Sequence, residues 1–442
     1  MKNSMKLMVA GWVGMILNYQ LHAQFLLKPA GSYAVGSKPV AVAAADVNGD
    51  GNVDLISANS AANTLSILTN NGSGVFGSNA TYSVGAYPSA VVAVDVNDDG
   101  KVDLICTHRN ASSLSVLTNN GSGGFALAAT YPVGSGPLWV TAADINGDGK
   151  VDLITANWMA YTLSVLTNNG YGVFVSNATL AAGPYVSSVT TADVNGDGKL
   201  DLISAIPAAP TALDELLVHT NNGSGRFITN AYYLVAAGSS PISVTAADVN
   251  GDGNVDLIAA NYRSNSVVVM TNNGSGVFGS NASYSVGVNP NQVVSTDVNG
   301  DGKADLISAN YTSGTLSVLT NNGYGGFGVW TTLASGKATY SVAVADINGD
   351  GHMDLIAANT NGVSSGSLSV FIAVPTVKMN LLAANPMLSW SSDWTNWTLQ
   401  QNADLATTNW ITAGWPVTDD GTNKSVTLSG PATNLFFRLR SP

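Results

Sequence analysis

The segment DVNGDGNVD, residues 46–54, sets aspartate, asparagine and aspartate at alternate positions 1, 3 and 5, glycine at 6 and a further aspartate at 9. Hard oxygen ligands at that spacing converge on one point, and the main-chain carbonyl of position 7 can join them. Such a set in a flexible loop favours Ca²⁺ over Mg²⁺, which demands stricter octahedral geometry and holds its water. The pattern occurs seven times. Its expected ligands are Asp46, Asn48, Asp50, Asn52 and Asp54, then Asp95, Asn97, Asp99, Lys101 and Asp103, then Asp144, Asn146, Asp148, Lys150 and Asp152. The remaining sets are Asp193, Asn195, Asp197, Lys199 and Asp201, then Asp248, Asn250, Asp252, Asn254 and Asp256. Asp297, Asn299, Asp301, Lys303 and Asp305 follow, and Asp346, Asn348, Asp350, His352 and Asp354 close the series. Asparagine, lysine and histidine are all acceptable at position 7 because only its carbonyl is needed. Up to seven Ca²⁺ ions are expected.

The loops hold 22 of the chain's 28 acidic residues, although only 10% of the 442 residues are charged. The acidity is therefore concentrated at seven points and is not a dispersed solubilising surface. Three carboxylates packed within a few ångströms repel one another, which opposes folding unless a cation intervenes. Loss of Lys2 and Lys6 with a leader would take the net charge from −12 to −14, which seven divalent ions would neutralise. The single cysteine, Cys106, cannot form an internal disulfide, so ions are expected to pin the turns that disulfides pin in other exported proteins.

The loops start at intervals of 49, 49, 49, 55, 49 and 49 residues, the mark of a repeat architecture. Within each period PVAVAAADV leads into the loop, DLISAN leaves it, NTLSILTN follows, and ATYSVG comes after a glycine-rich turn, with no sustained helical period. Four short strands per period of about 50 residues describe a propeller blade. The seventh repeat ends at Pro375 without a fourth strand, while residues 31–36 look like an unpaired one, so these residues are expected to complete the last blade. The expected fold is all-β: a seven-bladed β-propeller over residues 24–374, followed by a small tryptophan-rich, sandwich-like β domain over 375–442. Residues 1–23 read as a signal peptide, with Lys2 and Lys6 before a short apolar run and Leu21-His22-Ala23 as the cleavage site. An exported monomer is expected, with no membrane insertion after cleavage, placed outside the cell, at its surface or in a periplasm.

The period, the DxNxDGxxD loops and the turns Phe76-Gly77, Phe278-Gly279 and Phe327-Gly328 together resemble the FG-GAP/VCBS repeats of integrin α-chain propellers and many exported bacterial proteins. The resemblance implies a calcium-binding propeller, and its members include adhesins, lectins and some polysaccharide lyases. An EF-hand is not expected. Position 12 holds Ser57, Cys106, Thr155, Ser204, Ala259, Ser308 and Ala357 in place of glutamate, and the flanks read as strands. The C-terminal segment is similar to a small β domain found at the ends of exported Verrucomicrobia and Planctomycetes proteins.

If the aspartate loops join first and second strands, the opposite face is built from the second-to-third and inter-blade connections. Those segments carry His108, Arg109, Trp139, Trp158, Tyr161, Tyr185, Tyr262, Arg263 and Tyr311, together with Tyr87 and Tyr340 and several asparagines. Aromatic rings that stack and amides that read hydroxyls suit a glycan or an extracellular protein. The leading expectation is a non-catalytic binding or adhesion module. The alternative is a polysaccharide lyase in which His108, Arg109 and a rim tyrosine abstract a proton beside a uronate carboxylate. No nucleophile elbow or phosphate loop occurs, and with no basic stripe no nucleic-acid partner is expected.

Overall fold

The computed structural model describes residues 7–9, 25–207, 213–236, 238–362, 365–375, 378–380, 387–391, 394, 397–402, 409–421, 423–428 and 435–440. The chain divides into two compact units, Pro29–Phe371 and a second made of Met1–Lys28 with Ile372–Pro442. Every regular element among the described residues is a strand.

In the large unit each repeat folds into one four-stranded antiparallel sheet. The first is Pro39–Ala45, Asp54–Asn59, Thr64–Asn70 and Phe76–Ser83 in spatial order. Second strands are buried along their whole length, because neighbouring sheets cover both faces and supply only apolar and small side chains. Fourth strands alternate half-buried with exposed, as edge strands facing solvent on one side do. Seven such sheets are present among the described residues. The first strands pack in succession around the ring, and Thr339–Ala345 of the seventh sheet returns to Pro39–Ala45 of the first. The seventh sheet is completed by Phe25–Val35, which lies beside Gly366–Pro375. The strand expected at 31–36 is therefore present and begins several residues earlier.

Side chains tie each sheet to the next. Asn119, at the end of the second sheet's third strand, donates to the Val102 carbonyl of its own sheet and to the Val47 carbonyl of the preceding aspartate loop, both at 2.8 Å. Asn70, Asn168, Asn221, Asn272 and Asn321 make the same bridge. In the forward direction Tyr82 donates to the Gly123 carbonyl and packs edge-on against Phe125 of the following sheet. Tyr33, on the N-terminal closing strand, does the same to Gly74 and Phe76 of the first sheet. The closing strand thus reproduces the side-chain ties of an ordinary fourth strand.

The second unit carries two four-stranded sheets. One is ordered Leu7–Val9, Leu435–Arg440, Thr398–Asn402 and Ile411–Thr412; the other is Lys378–Asn380, Met387–Ser391, Asn423–Thr427 and Thr418–Asp419. Trp390 and Trp394 are both 2% exposed and anchor its core with Phe437 and Leu388. The expected cleavage segment Leu21-His22-Ala23 lies outside the described residues. No described helix is long and apolar enough to cross a membrane.

Candidate functional site

Each aspartate loop is a sharp turn between first and second strands. In the first, Asp46 Oδ1 accepts the Gly49 N–H and Oδ2 the Gly51 N–H, both at 2.8 Å. Asn48 Oδ1 accepts the Asp50 N–H, and Asp50 Oδ1 accepts the Asn52 N–H. Gly51 must lie at φ 84° to present its N–H inward, which is why position 6 is always glycine. The ninth residue does something else. Asp54 is fully buried and spans two elements, with Oδ1 accepting the Asn70 N–H at 2.8 Å and Oδ2 the Val47 N–H at 3.2 Å. Asp103, Asp152, Asp201, Asp256 and Asp305 repeat this bridge. The sequence pattern marked these residues as ligands but gave no sign of this second role.

As placed, no three acidic, histidine or cysteine side chains among the described residues close on one point. The loop carboxylates are turned onto their own N–H groups. The chemistry of the donor set nevertheless fits a hard divalent cation. It is all oxygen, and each carboxylate oxygen retains a second lone pair. Burial, and then the charges of Asp301 and Asp297, push the Asp305 carboxyl up to about 7 against the pull of two N–H groups. Asp152 is raised to about 6 in the same way. Carboxylates held apart from water beside two others call for a counter-charge. In the second, fourth and sixth loops the position-7 side chains Lys101, Lys199 and Lys303 lie 3.4–3.5 Å from the position-5 aspartate. Those pairs are about one-third exposed or more, and solvent leaves them little strength.

The antiparallel pairing puts the second-to-third turns at the opposite end of every sheet, beside the inter-sheet connections. There the N–H after each second strand donates to a residue just ahead of the first strand: Arg109 to Tyr87, Trp158 to Gly136, Tyr262 to Ser240, Tyr311 to Asn289. These acceptors form one structurally equivalent column with positive φ. Bulky Tyr87 and Tyr185 adopt it at 60° and 62°. Tyr161 does likewise at 61°, where other sheets place Asn63, Ser112, Asn265 or Gly314. A tyrosine in this region costs on the order of 1 kcal/mol. Tyr185 is met by Trp158 at a tilt and by Tyr161 edge-on, both at 5.2 Å between ring centroids, and Met159 beside them is 55% exposed. Around the ring, Tyr311 packs on Tyr340 at 4.7 Å, and Lys38 donates to the Tyr87 hydroxyl at 2.7 Å.

FG-GAP-like repeats match residues 46–106, 95–155, 144–204, 210–259, 248–308 and 297–357, and an FG-GAP repeat matches 185–227. The chain belongs to the FG-GAP repeat family. Solved structures similar to it include BBS1N in complex with ARL6DN soaked with lead, at 11% identity and TM-score 0.56, covering 78% of this chain and 96% of that one. The mercury-soaked form of the same complex gives 12%, 0.57, 79% and 97%. These likenesses show the propeller fold. A search of curated proteins gives no match.

Within the FG-GAP ring one expected rim residue turns out to be internal. His108 is 1% exposed, and its Nε2 lies 2.8 Å from Ser115 Oγ. It stands where Asn59, Asn157 and Asn310 make the same contact to Ser66, Ser164 and Ser317. It is an inter-strand tie in place of an exposed base, which corrects the role given to it in the lyase alternative. Trp139 is half-buried, with part of its ring packed against the core cluster around Ile154, Val165 and Val189. Trp158, Tyr185, Tyr262, Tyr311 and Arg109 are half-buried at the rim, while Tyr161 and Arg263 are exposed. Lys38 was missed as a site residue. Only superposition of the repeats puts it in one column with Tyr87 and Tyr185.

Burial pushes the His108 imidazole down to about 4. The unfolded chain, with an ordinary histidine near 6.5, takes up its proton first, so stability should fall as pH drops from about 6.5 and level off near 4. The full loss attributable to this residue is about 3 kcal/mol. His108→Asn, the residue of the neighbouring repeats, should reduce that acid-side loss in urea titrations at pH 7, 6, 5 and 4. An unchanged difference between wild type and variant across that range would contradict the assignment.

Proposed function

We propose that this protein is an exported, calcium-stabilised binding module that seats a glycan or extracellular protein on the rim opposite its aspartate loops. The observation that carries the reading is the Trp158–Tyr161–Tyr185 cluster, in which two tyrosines occupy strained left-handed backbone to present their rings. Other sheets also take positive φ at these equivalent turn positions, but here bulky rings are kept where most of them use small or asparagine residues, and strained residues cluster at ligand sites. Flat aromatic faces beside turn amides suit the apolar faces and hydroxyls of sugars.

Calcium would be held by the side chains at positions 1, 3, 5 and 9 of each loop and by the carbonyl at position 7. Asp46, Asn48, Asp50, Asn52 and Asp54 are the first such set. When bound it supplies positive charge to the buried ninth carboxylate and fixes the turn between first and second strands. The solved complex of BBS1N with ARL6DN is a propeller engaged with a protein, which supports a binding role for the ring and leaves the class of ligand open.

The test is retention of the mature protein on a panel of polysaccharides and extracellular proteins, in about 1 mM Ca²⁺ and in chelator. Retention on at least one ligand is expected, reduced about tenfold by Trp158→Ala with Tyr185→Ala. Chelation should lower both retention and the melting temperature, since an ion bound only by the native state must stabilise it. Equal melting temperatures with and without Ca²⁺ would sink the calcium assignment. Full retention by the double variant would sink the rim assignment.

A further inference from the structure

The rim is chemically lopsided. Trp158, Tyr161 and Tyr185 cluster on the third and fourth sheets, whereas two cations, Lys38 and Arg109, meet on the first and second; a third rim cation, Arg263, stands apart on the fifth. Lys38 and Arg109 come from adjacent sheets and both lie on Tyr87, the ammonium 5.3 Å and the guanidinium 6.0 Å from the ring centroid. The Lys38 ammonium also donates to the Tyr87 hydroxyl, and the two charges hold that phenol below its usual range although burial opposes them.

Among the described residues no ion pair answers these two charges. The ion pairs found among the described residues all lie in the aspartate loops. Arg109 Nε is buried without a hydrogen-bond partner. Outside those loops the ring's acidic residues are Asp214 and Glu215, which belong to the fourth sheet. Two like charges set on one ring with no counter-ion repel each other until an anion arrives. A guanidinium fork beside an ammonium and a phenol matches a carboxylate, which accepts two parallel N–H bonds.

We propose that Lys38, Tyr87 and Arg109 form a carboxylate subsite, and that the rim's ligand is a uronate-bearing polysaccharide whose acidic sugar docks there while neighbouring sugars stack on Trp158 and Tyr185. The assignment rests on the reading of the rim as the binding face and adds the ligand's charge to it. The adjoining aromatic platform favours a sugar over an acidic peptide, because ring faces offer a peptide carboxylate no partner.

The experiment is affinity electrophoresis of the mature protein at one fixed calcium concentration. The gels contain polygalacturonate, its methyl-esterified form, a sulfated galactan or polyglutamate. Polygalacturonate should retard the protein most. Lys38→Met with Arg109→Gln should weaken that retardation at least about tenfold, and Lys38→Arg should preserve it. Lys38→Met alone serves as the readout if the double variant does not fold.

Equal retardation by the methyl ester would overturn the carboxylate subsite and leave the rim as a neutral-sugar site. Equal or stronger retardation by polyglutamate or by the sulfated galactan would overturn the uronate assignment. Retention by polygalacturonate that survives Lys38→Met unchanged would also overturn the subsite. No retardation by any polysaccharide would remove the subsite and, with it, the glycan reading of the rim.

Discussion

Asp305→Ala should destabilise the ring by about 3–5 kcal/mol, near the top of the range for one substitution. The residue is fully buried, and its two oxygens accept N–H groups from separate elements, Asn321 at 2.8 Å and Val298 at 3.3 Å. Alanine leaves both donors without a partner in a place water does not reach. It also loosens Asn321, whose side chain reaches back to the Val249 carbonyl of the fifth loop at 2.8 Å. Asp305→Asn retains one acceptor and should cost less, and its cost separates the two roles of the carboxylate. On the proposed calcium assignment, the amide gives up a charged ligand when Ca²⁺ is present. In chelator it relieves the repulsion from Asp301 and Asp297 that raises the native group. The Asn variant's deficit should therefore shrink markedly when calcium is withdrawn, as read from urea midpoints. A loss below about 1 kcal/mol for the alanine variant would mean that the bridge contributes little.

Deleting residues 25–36 should abolish cooperative folding of the ring or lower its melting temperature by more than about 10 °C. The deletion strips the fourth strand from the seventh sheet and uncovers Gly366–Pro375, all ten of whose residues are buried in the intact chain. It also removes Tyr33 and with it the contacts to Gly74 and Phe76 that join the seventh sheet to the first. Tyr33→Phe, which loses only a hydroxyl bonded at 3.4 Å, should cost no more than about 1 kcal/mol. A peptide of sequence FLLKPAGSYAV added in trans should restore part of the lost stability by occupying the vacant edge. A deletion variant that melts like the full chain would show that the ring does not depend on this closure.

The fold was largely legible because every repeat states the same thing. Alternating small and branched residues marked the strands, and a missing strand at one end matched a spare one at the other. The loops were legible for the same reason. The two roles of the ninth aspartate were not separable, because a ligand and a buried bridge both call for a carboxylate. His108 misled for another reason. Residue type marks a histidine as suited to a binding face, yet its burial is decided by a neighbouring strand and by the glycine opposite it, Gly85. Lys38 failed in the reverse direction: beside Pro39 it reads as an ordinary turn residue, and its meaning comes from Tyr87, 49 residues away. The relation between columns of different repeats was the signal left unused.

The asparagine bridges have a consequence for how such a ring comes apart. A linear array of repeats frays from its ends, but a circular one offers no end, and opening must begin at whichever joint has the fewest bolts. Six joints carry an asparagine that grips the preceding loop. At the seventh, between the sixth and seventh sheets, the equivalent position is Ala373, whose methyl side chain cannot form that bridge. The sixth sheet's outer strand also has Leu333 where Tyr82 and Tyr284 reach forward in their own sheets. The sixth and seventh sheets are held instead by Asn291, which donates to the Tyr340 carbonyl at 2.8 Å, and by Gln292, which accepts the Val342 N–H at 2.9 Å. Hydrogen exchange at this joint should therefore answer to substitution of those two residues, whereas the other joints answer to their asparagines.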